Sequence, residues 1–101
     1  MTYPAQRQDA EDQLIITRAL SLHHARAARE SIVLGNFPAV MEHVQACNRY
    51  DDAIPELMLR MDRLGIIEIG KQVLNNYRET LETIIADCER LKNQGEEAAN
   101  V

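Results

Sequence analysis

IEIGKQVLNNYRETLETIIADCERL, residues 67–91, is the stretch on which the fold turns. Along it Ile67, Gly70, Leu74, Tyr77, Leu81, Ile84, Cys88 and Leu91 step by alternate threes and fours, the a/d spacing of a helix packed along one seam. Ile66, Ile69, Val73 and Ile85 widen that seam into a face able to meet two neighbours. About 26 residues at 1.5 Å each predict a single helix roughly 40 Å long.

The punctuation on either side is regular. Gly35, Gly65 and Gly95 each follow a helix-like stretch, where glycine ends a helix by taking the left-handed conformation. Gly35-Asn36-Phe37-Pro38 is the clearest break: Gly35 stops one helix, Asn36 caps the next, and Pro38 sits where its missing N–H costs nothing. The first helix is expected to start at Asp9 as N-cap and to present Ile16, Leu20, His23, Ala27, Ser31 and Leu34 on one face. The second carries Val40, Val44, Cys47, Ile54, Met58 and Met61 on a stripe interrupted by Asp51. Pro55 predicts a kink or short break over 51–55, with Asp51 or Asp52 capping the second piece. The turn Leu64-Gly65-Ile66-Ile67 is short and offers no polar cap. Short links between long helices mean antiparallel neighbours. The expected architecture is all-α: an antiparallel three-helix bundle, or a long helical hairpin with a third helix laid along it. It is read as one domain over 1–101, frayed over 1–8 and 94–101.

Composition narrows the function. The chain has 101 residues, with 4% aromatics and no Trp, so its core must be aliphatic. Eleven basic against sixteen acidic side chains leave a net charge of −5. The whole excess lies after residue 50, and no basic face is written that would displace counterions from nucleic acid or anionic lipid. No apolar run is long enough to span a bilayer, and the polar start has no signal-peptide core. Cys47 and Cys88 read as reduced thiols of a cytosolic protein.

Chemistry is hard to assemble from these residues. His43 and Cys47 are i, i+4 neighbours, a possible two-ligand metal pair whose third ligand would have to come from His23 or Cys88, and a possible thiolate pair around which no loop or cleft is evident; a surface histidine beside a core thiol is the simpler reading. No HExxH, CxxC or Gly-rich phosphate loop occurs. The expectation is a protein-binding module that uses no cofactor, not an enzyme. Its surplus apolar surface would come from Val73, Ile85, Met41, Met58 and Met61, while Glu79, Glu82, Asp87 and Glu89 form a solvated face.

Gly35-Asn36-Phe37-Pro38, followed by Ala39-Val40 and the polar run to Tyr50, and the final helix from Val73 through Leu91 together resemble flagellar type III export chaperones of the FliT and FlgN kind, over roughly residues 13–95. The sequence departs from that pattern at Pro38, where an acidic residue is commoner, and in its apolar second turn. The resemblance implies a cytosolic chaperone that buries an amphipathic helix of a secreted flagellar or type III subunit. A partner helix would then lie against Val73, Leu74, Tyr77, Leu81, Ile84, Ile85 and Leu91.

Three other readings stand beside it. His23 followed by Arg26 and Ala27 is similar to the histidine phosphotransfer step of His, Lys at +3 and Gly at +4. Gly35-Asn36-Phe37 and Tyr50-Asp51-Asp52-Ala53-Ile54-Pro55 echo tetratricopeptide-type scaffolds, without the repeats a solenoid needs. The heptads of the third segment could also form a homodimer.

Overall fold

The computed structural model describes residues 3–99, which fold as α1 (Tyr3–Val33), α2 (Phe37–Arg63), α3 (Ile67–Val73) and α4 (Tyr77–Ala99). No strand occurs among the described residues, and the all-α expectation holds. Arg60 of α2 reaches back to Asp9 and Gln13 of α1, so these two helices form a long antiparallel hairpin. Arg18 then meets Val73, and Arg29 meets Asp87, so the third segment returns parallel to α1. The result is an up-down-up bundle, drawn out to 65 × 21 × 15 Å.

Both turns close by the same device. After α1, the Asn36 amide donates to the Ser31 carbonyl and the Gly35 amide to that of Ile32. After α2, the Ile66 amide donates to Met61 and the Gly65 amide to Asp62. This pairing satisfies carbonyls that a helix end would leave bare, and it needs a left-handed residue, supplied by Gly35 (φ +72°) and Gly65 (φ +75°). Asn36 caps α2 through its side chain, accepting from the Ala39 amide, with Pro38 in the first turn. The second turn has no side-chain cap at Ile66, and an apolar contact takes its place. Ile66 and Met61, the two residues joined by the closing hydrogen bond, are both buried.

Four local expectations are corrected. Asp9 is no cap, because α1 is already helical from Tyr3, and Gly95 stands inside α4 and not past its end. The remaining end residues, 1–2 and 100–101, lie outside the described ones. The core face of α1 is Ala10, Leu14, Ser21, Ala25 and Ala28, while Ile16 and Leu34 are more than half exposed. Both stripes have helical spacing, but the small side chains let the other helices come close, and close packing prevails over the bulk of individual residues. In α2 the helix is unbroken through Pro55, whose ring is on an exposed position while Ile54 and Met61 are buried around it. Neither Asp51 nor Asp52 starts a new helix.

The fourth correction falls on residues 67–91 themselves. The single long helix is cut at Leu74-Asn75-Asn76, giving a seven-residue α3 and a separate α4. Asn76 has φ 65°, which no α-helix accommodates, and asparagine is the non-glycine residue that tolerates it best. The break lets α3 lie against both α2 and α1, whereas α4 packs on α1. α3 packs on α2, with Gly70 so close that a Cβ there would meet the Met58 sulfur at 2.9 Å. The Arg18 guanidinium donates to the Val73 carbonyl and satisfies the end that the break exposes. Asn76→Ala should therefore destabilise the fold by about 1 kcal/mol and Asn76→Gly should not, as read from urea unfolding midpoints.

A candidate docking groove between α2 and α4

α4 packs on α1, and among the described residues no Cα of α4 comes within 8 Å of one in α2. Among the described residues, the hydrogen bonds between the two helices lie at one end and run between side chains. There the Tyr77 hydroxyl, at the start of α4, donates to Asp51 Oδ1 of α2 at 2.9 Å. It also lies 2.8 Å from Ser21 Oγ of α1, which in turn stands 3.5 Å from Cys47 Sγ. With Asp51 acceptor-only, the protons order themselves: Cys47 donates to Ser21, Ser21 to Tyr77, and Tyr77 to Asp51. The Arg78 guanidinium holds the other Asp51 oxygen at 3.3 Å.

Beyond this joint α2 and α4 leave an apolar groove of about 410 Å³. Ala25, Ala28 and Ile32 of α1 line its floor. Val40, Met41, Val44 and Cys47 of α2 form one wall, and Ile84, Ile85 and Cys88 of α4 the other. Asn48, Glu89 and Lys92 supply a thin polar rim. Two of the floor residues are alanines, whose small side chains leave depth for large side chains to enter. Met41 is 59% and Ile85 45% exposed, and Val33, Leu34 and Phe37 continue the apolar surface around the α1–α2 turn.

No family model, curated protein or solved structure matches the chain. The site rests on geometry alone.

Of the seven residues expected to meet a partner, only Ile84 and Ile85 line this groove. Tyr77 and Leu81 are core, Val73 and Leu74 pack against the core, and Leu91 lines a shallow pocket beside His23 and Arg26. The heptad face of α4 is used up on α1, and the groove opens along its edge. Of the surplus candidates Met61 is fully buried and Met58 and Val73 pack on the core, leaving Met41 and Ile85. Missed from sequence were the floor alanines and the Ser21–Tyr77–Asp51 joint. The signal was present in Asp51, the polar residue that breaks the α2 stripe.

The metal and thiolate readings of His43 with Cys47 do not assemble. His43 turns to His24, Cys47 turns to Ser21, and no three His, Cys, Asp or Glu side chains converge as a metal site among the described residues. Burial pushes the Cys88 thiol up, which suits packing better than nucleophilic chemistry. Both cysteines are free. No described helix is long and apolar enough to cross a membrane.

Burial, reinforced by Asp51, raises the Tyr77 phenol to about 12 against an ordinary value of 10. An acid whose folded value is raised stabilises fully below its unfolded value, and that contribution is lost as pH climbs from 10 through about 12. Tyr77→Phe should cost about 1–3 kcal/mol at neutral pH, since it strips partners from Ser21 and Asp51. It should also remove an ionisation step near pH 12 from a 295 nm absorbance titration.

Proposed function

We propose that this chain is a helical binding module, a chaperone or adaptor that takes an amphipathic helix of another protein into the α2–α4 groove. The observation that carries the reading is the open apolar groove itself. A helix laid there would bury Met41, Val44 and Ile85, and would supply α2 and α4 with the neighbour each lacks on that side. Exposed apolar surface gathered in one place is what a monomeric soluble domain ordinarily avoids. Methionine on the wall favours an adaptable fit over a single rigid key.

The resemblance to flagellar type III export chaperones names the class of partner: a secreted axial subunit whose terminal amphipathic helix must stay covered before export. The proposed working compartment is the cytoplasm. No cofactor or covalent step enters such a role. The runner-up is self-association through the same surface, favoured by the exposed Val33, Leu34 and Phe37 beside the groove. The phosphotransfer reading keeps one favourable fact, that His23 is exposed and shares a pocket with Arg26 and Ala27.

Ile85→Glu tests the proposal. Ile85 is outside the core, so the variant should fold with an unchanged circular dichroism spectrum. Against synthetic peptides of flagellar subunit terminal helices, it should bind at least tenfold more weakly than the parent in calorimetry. Glu82→Gln, on the solvated side of α4, should bind as the parent does. Equal affinity for Ile85→Glu and parent would exclude this groove, and phosphate uptake at His23 from a phosphorylated receiver domain would move the function to phosphotransfer.

A further inference from the structure

Opposite helices of the hairpin bring two imidazoles into direct contact. His24 Nδ1 of α1 and His43 Nδ1 of α2 stand 2.9 Å apart. The His24 ring is stacked on Tyr50, with centroids 5.8 Å apart and planes 10° from parallel. These neighbours are otherwise cationic or uncharged. From α1, His23 faces His24 edge-on at 5.2 Å; from α2, His43, Tyr50 and Arg49 surround it. Among the described residues no carboxylate hydrogen-bonds or ion-pairs with either ring, and neither α3 nor α4 provides one a partner.

A bond between two Nδ1 atoms needs one proton between them. With both rings neutral, one donates and the other accepts. With one extra proton on the pair, the cation still donates to its neutral partner. A second extra proton leaves two N–H donors and two positive charges facing each other, and the bond is lost.

We propose that His24 and His43 form a proton-operated latch on the α1–α2 seam, closed while the pair carries at most one extra proton and opened by the second. Position in the chain gives the latch its consequence. His24 adjoins Ala25, on the groove floor, and His43 adjoins Val44, on the groove wall. Opening it frees the first half of α2 from α1 and displaces that wall. Loss of partner binding in mild acid rests on the docking reading above, but the latch itself does not.

The sign follows from linkage. Burial first, then the fields of His43, His23 and Arg49, lower the His24 value from the ordinary 6.5. For a base lowered by folding, stability is complete above the unfolded value and falls as pH drops below it, because the unfolded chain takes up more protons. Each proton the native state refuses raises the unfolding constant up to about tenfold per pH unit.

The test measures urea unfolding of the full chain at pH 7.5, 6.5 and 5.5. The parent should show an unfolding constant rising several-fold to tenfold between pH 6.5 and 5.5, and His23→Gln, which removes only a cause ranked behind burial and His43, should keep most of that rise. In His24→Gln that rise should shrink to under half. An undiminished rise in a folded His24→Gln overturns the latch. Should His24→Gln fail to fold, imidazole NMR titration of the parent decides. Coupled steps, in which one ring's protonation shifts the other's, support the latch, and independent titration of the two rings overturns it.

Discussion

Everything above the hairpin depends on one buried phenol. Tyr77 is 2% exposed, and its hydroxyl is shared between Ser21 of α1 and Asp51 of α2. It is the point where side chains of all three long helices meet. A polar group at such a place must be paired, because leaving it bare costs about as much as a large core deletion. That requirement fixes the register of α4 against the hairpin. It also ties α4 to α2 by hydrogen bonds at the start of α4, while their Cα atoms stay more than 8 Å apart among the described residues.

The groove is therefore a consequence of how the polar joint and the small-residue seam divide the work. Ala25 and Ala28 draw α1 close to its neighbours, and Leu81 and Ile84 of α4 bury themselves in the same core. What remains is the lateral edge of α4 and the first half of α2, each apolar and each lacking a neighbour. A three-helix bundle of this kind is one helix short of closing. Completion by a helix from elsewhere is the physical content of the proposed function.

Much of this was legible in the residues. Gly35-Asn36-Pro38 declared the first turn because each of the three has a distinct local task, and Gly65 declared the second. The helical class followed from spacing and from the scarcity of turn residues. Three things were hidden for nameable reasons. The seam of α1 was obscured because alanine carries little hydrophobic signal, although its Ala and Ser residues repeat with the same period as the larger ones. The break at Asn76 sits inside a heptad pattern that continues undisturbed across it, since Leu74 and Tyr77 both pack inward on either side of the turn. Pro55 was read as an interruption because local preference was weighed without the burial of Ile54 and Met61, which overrides it. The groove could not be read from α4 alone, because the face richest in apolar residues is the one already spent on the core.

The central claim is that the space between α2 and α4 receives a helix. Methyl NMR of the chain, with and without a flagellar terminal-helix peptide, addresses it directly. The account predicts shifts concentrated at Val40, Met41, Val44, Ile84 and Ile85, with Leu14, Ile54 and Leu59 unmoved. Shifts gathered instead at Ile15, Ile16 and Leu59 would contradict it, as would a spectrum that the peptide leaves unchanged.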